Sequence, residues 1–186
     1  RHPADVALWN DALWMVDSTP DAVDNGFNLD ELNRLDSGAN FGFPFCIGNM
    51  QQSPMAESAD CGQFVAPALS FPTHSTPLGL AAYDADLFPW LRGTLLVVLG
   101  GSTNAARMEG FALVAVETDE AGNATGYDLL VPGQNTEDEE QFTLQQMNYR
   151  GSGLWQRRPL DVAVSPEGWI YLSVTDGRIL ALRPLS

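Results

Sequence analysis

The chain has 186 residues, 45% of them hydrophobic and only 18% charged, with seventeen Gly, twelve Pro, five Trp, nine Phe and four Tyr. Such a composition excludes a disordered chain and points to a packed core broken by many turns and short strands. Nine basic residues against twenty-four acidic ones leave a formal charge of −15; with no basic cluster to offset it, that field excludes nucleic acid and anionic lipid as partners.

Taken in order, the elements read as antiparallel β-structure. Val6 to Trp9 and Ala12 to Val16 flank Asn10-Asp11 and read as a hairpin. A long loop follows near 17–31, carrying Asp17, Asp21, Asp24, Asn25, Asp30 and Glu31. These are hard oxygen ligands of the kind calcium takes, although Val23 stands where an EF-hand needs a ligand. By residue type alone the stretch is a solvated acidic loop. A second long loop, near 45–66, contains the only two cysteines, Cys46 and Cys61. Their spacing suits a disulfide closing that loop in an oxidising compartment; two buried free thiols are the alternative, and zinc lacks enough ligands.

Further strands are read at Thr94 to Leu99, Phe111 to Glu117 and Tyr127 to Val131, the last two joined by a turn at Asp119 to Asn123. Asn123-Ala124-Thr125 is a formal glycosylation sequon and weak on its own. A third long loop near 132–157 includes Glu137 to Glu140, read as solvated. Leu160 to Val164, Ile170 to Val174 and Ile179 to Leu182 then repeat the meander, with turns at Ser165 to Gly168 and Asp176-Gly177. No apolar run reaches the length of a membrane span, and no signal peptide is recognisable. The chain opens at Arg1 rather than Met, so processing or truncation is expected to have removed what came before. Any membrane association is expected only through such a segment or a partner.

An internal repeat organises these elements. Arg1-His2-Pro3-Ala4-Asp5-Val6-Ala7 recurs as Arg157-Arg158-Pro159-Leu160-Asp161-Val162-Ala163, with a weaker echo at Pro77-Leu78-Gly79-Leu80-Ala81. Repeated four-stranded meanders are propeller blades. The fold expected is all-β: a single incomplete β-propeller over residues 1–186, with two to three blades of four antiparallel strands. Closed propellers have about four to eight. Missing N-terminal blades or a second polypeptide should therefore complete the ring and cover its open edges.

Several segments carry a family resemblance. Asp30-Glu31-Leu32-Asn33-Arg34 with Gly38 to Cys46, His74 to Leu80 with Phe88-Pro89 and Arg92-Gly93, and Arg158 to Val162 with Pro166-Glu167-Gly168 resemble the glucose/sorbosone dehydrogenase family. The match corresponds to the C-terminal half of a six-bladed member. The resemblance implies an exported (periplasmic or extracellular) quinoprotein that oxidises a small sugar or related alcohol or aldehyde, using pyrroloquinoline quinone (PQQ) and calcium. It places Arg1, His74, Ser102, Asn104 and Arg158 at cofactor-proximal positions, and the loop of Thr19 and Pro20, with Asp24 and Asp30 nearby, at the calcium. The family's catalytic His lies in an earlier blade, so no residue here takes that role. This sequence departs from the family pattern at His2, Ala4, Gly100, Thr103 and Leu160. Those departures suit a non-catalytic scaffold or subunit of an exported or membrane-associated assembly; a calcium-stabilised carbohydrate-binding propeller is a third reading. Both arginines have a structural alternative, pairing with Asp5 or Asp161.

Overall fold

The computed structural model describes residues 1–19, 29–102, 110–133, 154 and 157–184. The first hairpin is β1 (Pro3–Trp9) and β2 (Ala12–Asp17), and its turn forms because Asn10 and Asp11 both take positive φ, 50° and 57°. That is the backbone a two-residue hairpin loop demands, and Asn and Asp are the side chains that tolerate it. β3 (Asp30–Leu35) and β6 (Leu69–Phe71) complete a four-stranded antiparallel sheet in the order β1-β2-β3-β6. Between them, β4 (Cys46–Ile47) and β5 (Gln51–Gln52) form a small ribbon. β7 (Pro77–Tyr83), β8 (Thr94–Leu99), β9 (Ala112–Thr118) and β10 (Ala124–Val131) make a second meander, and β11 (Pro159–Val164), β12 (Ile170–Val174) and β13 (Ile179–Leu182) a third.

The edge strands β1, β7 and β11 pack side by side, with β7 between the other two. Each begins at the repeated Arg/Ser-x-Pro start, so the internal repeat marks the innermost strand of each sheet. The chain is thus an arc of β-propeller blades. Among the described residues no helix is long and apolar enough to cross a membrane.

Alternation explains why the middle sheet is apolar on both faces. Leu95, Val97 and Leu99 with Val114 and Val116 face the first sheet, meeting Trp14, Val16, Leu32 and Phe71. Tyr83, Leu96, Val98, Leu113 and Ala115 face the third, meeting Val162, Ile170 and Leu172. A strand buried on both faces reads as a continuous apolar run, as Leu95 to Leu99 does. Each fully buried side chain of this kind stabilises by about 1.5–3 kcal/mol. The outer faces of the end sheets are different. Val6 is 52% and Leu8 72% exposed on the first sheet, and Ile179 is 65% exposed on the third, with Leu160 and Tyr171 also exposed.

The first aspartate of the repeat registers one sheet on the next. Asp5 accepts the Val6 amide with Oδ1 and the Leu80 amide of β7 with Oδ2, both at 2.8 Å. Asp161 accepts the Val162 amide in the same way, at 2.8 Å. Gly79 occupies the equivalent position in β7, where a Cβ would lie 2.8 Å from the Asp161 Cα. The sheets approach too closely there for a side chain. Asp5, with both oxygens taken by backbone amides, is not the partner of Arg1, whose guanidinium meets Glu31 instead.

Cys46 and Cys61 form a disulfide, as their spacing suggested. It ties the β4–β5 ribbon to the 3₁₀ turn Cys61–Gln63, within a segment that leaves β3 and returns at β6. Closing a loop of this length removes unfolded-state entropy worth about 3 kcal/mol. The Cys46→Ser/Cys61→Ser double variant is expected to lose about that much. Urea unfolding of the oxidised protein and the variant, with reduced wild type as a third sample, checks it.

Candidate functional site

In antiparallel sheets the starts of β1, β7 and β11 share one end with the end of β2, the start of β3, the end of β8 and the start of β9. The site assembles at that end, where loops are long and two residues of one turn hold strained backbone. Arg1 is its centre. Its guanidinium side chain is 2% exposed; Nη2 lies 3.1 Å from Glu31 Oε1 and donates to the Leu29 carbonyl at 2.9 Å. Nε and Nη1 of the same guanidinium are buried with no acceptor among the described residues. Glu31 also accepts from Asn33 Nδ2 at 3.3 Å, and Asp17 accepts the His2 amide at 2.6 Å.

Beside Arg1, Asp30 is fully buried and receives two backbone amides, Thr19 on Oδ1 at 2.7 Å and Thr76 on Oδ2 at 2.8 Å. Thr76 closes the turn His74-Ser75-Thr76, in which His74 and Thr76 have φ of 69° and 52°. Non-glycine residues rarely take that region, and such strain concentrates at ligand clamps. The carbonyls of Ser75 and Thr76 accept the amides of Gly101 and Gly100, each at 2.8 Å, which brings the end of β8 and the buried Ser102 alongside. Across the second gap between sheets, the Arg158 guanidinium sits 5.9 Å above the Phe111 ring, a cation–π contact that orients its charge. Arg158 is anchored by backbone bonds with Thr175, donating to its Oγ1 at 3.1 Å and accepting its amide at 3.0 Å.

The structure therefore brings Arg1, Thr19, Asp30, His74, Ser102 and Arg158 to one end of the arc, from three different sheets. Pro20, Asp24 and Asn104 lie outside the described residues. Among the described residues, no three His, Cys, Asp or Glu side chains converge as a metal-binding group. The sequence places Glu31 among loop oxygens and in a family-like segment without a partner; the structure makes it the partner of Arg1. Sequence reading also missed Phe111 as the platform for Arg158. The available signal was Asp-Glu directly before Leu32, two charges leading into an apolar strand position.

Burial decides the electrostatics of the pair. Asp30 is pushed from 3.8 up to about 6, chiefly by burial, with the Thr19 and Thr76 amides pulling the other way. Glu31 is pushed from 4.5 up to about 7, burial again outweighing the stabilising Arg1 guanidinium. Unfolded, both carboxyls ionise near pH 4; folded, they keep protons until near 6 and 7. Between those limits the folded state binds more protons than the unfolded one, so stability falls as pH rises. The contribution is complete below about pH 4 and lost above about pH 7, and is on the order of 3 kcal/mol per group. In chelator, urea midpoints measured from pH 4.5 to 7.5 are expected to decline, and Glu31→Gln should flatten the curve.

The geometry defines a class first: a β-propeller segment whose strand-start end carries one arginine, Arg1, against a buried acidic pair and a second, Arg158, over the Phe111 ring. The family profile Glucose / Sorbosone dehydrogenase matches residues 1–181. This chain belongs to that family. Among solved structures it is similar to a glucose dehydrogenase (TM-score 0.67, 21% identity, covering 100% of this chain and 45% of that one). It is also similar to a calcium structure of a Trichoderma reesei Carbohydrate-Active Enzymes Family AA12 protein (TM-score 0.65, 21% identity, 96% and 50% covered). A third is the holo form of the pyranose dehydrogenase PQQ domain of Coprinopsis cinerea (TM-score 0.65, 16% identity, 98% and 53% covered). No curated protein matches in sequence. The chain spans about half the length of these structures.

Proposed function

We propose that this chain is the C-terminal part of an exported, PQQ- and calcium-dependent sugar or aldose dehydrogenase, and that it contributes cofactor and calcium contacts rather than the catalytic base. The observation that carries this reading is the Arg1 guanidinium. It is buried, charged and held by Glu31, yet two of its nitrogen donors have no acceptor among the described residues. Leaving buried donors unmatched is costly, so such a group suits an acceptor-rich anionic ligand, and PQQ carries three carboxylates and quinone oxygens.

Arg1 and Arg158 would hold the cofactor's oxygens, with His74 and Ser102 lining the same end. Thr19 begins the segment that would offer backbone oxygens to calcium, with Pro20 and Asp24 as neighbouring candidates; Asp30, whose two oxygens accept the Thr19 and Thr76 amides, would brace that segment rather than ligate the ion. When bound, PQQ supplies a two-electron acceptor for hydride from the sugar, and calcium supplies Lewis acidity. The chain's own residues orient and neutralise; the proton-abstracting base belongs to the part of the propeller beyond this chain. The disulfide supports an oxidising, periplasmic or extracellular setting.

The test is reconstitution of the whole protein carrying this segment with PQQ and Ca²⁺, followed by a dye-linked assay across aldoses. A bound-quinone spectrum with turnover supports the reading; neither appearing removes it. A second reading, a propeller scaffold, rests on the departures from the family pattern at His2, Ala4, Gly100, Thr103 and Leu160; the exposed Val6, Leu8 and Ile179 suit further blades or a second polypeptide in either reading. The scaffold reading expects stable assembly without quinone binding.

A further inference from the structure

Asp30 starts β3 with no exposed surface, and its two oxygens reach segments far apart in the chain. Oδ1 takes the amide of Thr19, eleven residues back, at the end of β2; Oδ2 takes the amide of Thr76, forty-six residues on, before β7. The Thr76 turn is the strained one, with His74 and Thr76 at positive φ on either side of a fully buried Ser75. Strained conformers of this kind persist only where surrounding contacts over-determine them. A charge-assisted bond from Thr76 to Asp30, together with the Gly100 and Gly101 amides on the Thr76 and Ser75 carbonyls, supplies that constraint.

We propose that Asp30 is a positioning residue, a carboxylate clasp that fixes the Thr19 segment against the His74–Thr76 turn. In the reading above, on which the ligand half of this proposal rests, those are the calcium-side and cofactor-side walls of one site. Aspartate suits the task because both of its oxygens accept, and two amide donors converge on it. Asparagine keeps one acceptor and turns an NH₂ donor toward the other amide. Glutamate keeps both acceptors but sets them one methylene further out.

The test uses Asp30→Asn and Asp30→Glu in the whole protein, with amide hydrogen exchange at Thr19 and Thr76 and separate titrations with PQQ and with Ca²⁺. In Asp30→Asn one of the two amides should exchange at least about tenfold faster, and PQQ and Ca²⁺ should both bind about tenfold more weakly. Asp30→Glu should recover part of the protection. A core variant losing similar thermal stability, Leu172→Val, should leave both affinities unchanged. Unchanged exchange at both amides overturns the clasp, as does faster exchange with both affinities intact. If wild type binds neither PQQ nor Ca²⁺, the dehydrogenase reading fails and the exchange result alone decides the clasp.

Discussion

Gly110→Ala is expected to cost about 4 kcal/mol or more, lowering the melting temperature by about 10 °C. Two penalties combine. The residue has φ of +91°, and an added Cβ would fall 2.5 Å from Gly101 Cα and 2.6 Å from the Ser75 carbonyl oxygen. Both obstacles are backbone, and that backbone is fixed by the Gly101 amide bonded to Ser75, so no side chain can swing aside. Gly177→Ala separates the terms. Its φ is +80° with nothing within 4 Å of the new Cβ, so it should lose only the left-handed conformational cost, about 1 kcal/mol. Calorimetry on both variants checks the difference. Equal losses would show that the close approach at Gly110 does not exist in solution.

Arg1→Ala should be nearly as damaging, with a pH signature of its own. Removing one partner of a buried ion pair typically costs about 3–5 kcal/mol, because the other charge is left without compensation. Here Glu31 has an escape, since burial already raises it to about 7. Without the guanidinium its pKa rises further, and near pH 6 it simply stays protonated. The loss should therefore be modest at pH 6 and grow toward pH 8, by up to about 1.4 kcal/mol per pH unit while the folded carboxyl remains protonated and the unfolded one does not. The double variant Arg1→Ala/Glu31→Gln should remove that pH dependence and recover stability without recovering PQQ binding. Arg1→Lys should keep the ion pair and lose the spare planar donors. Urea unfolding at pH 6, 7 and 8, with a PQQ titration of each variant, separates the structural role of Arg1 from its binding role.

Much of the architecture is legible from local chemistry. Asn10-Asp11 forces a hairpin because few other pairs sit at positive φ twice in succession. The runs at Thr94–Leu99 and Ile170–Val174 are strands with the bounds their residue types suggest. The repeated Pro-x-Asp-Val-Ala marks innermost strands, since each copy meets the same steric environment. β3 escaped that reading. Its residues Asp30, Glu31 and Asn33 are polar yet almost fully buried, and propensity scores such a strand poorly. Only the sheet around it, and Arg1 from ahead of β1, makes its burial tolerable.

The sequence alone determined that this protein is an arc of antiparallel sheets, because turns and alternation act between near neighbours; between a disulfide and two free thiols the structure decided for the Cys46–Cys61 bond. What only the tertiary structure decided is which charges meet: Arg1 with Glu31, Asp30 with Thr19 and Thr76, Arg158 over Phe111, and Asp5 with the Leu80 amide of the next sheet. Those contacts join residues 11 to 75 apart. Their partners are chosen by how two sheets pack, and no local pattern carries that information.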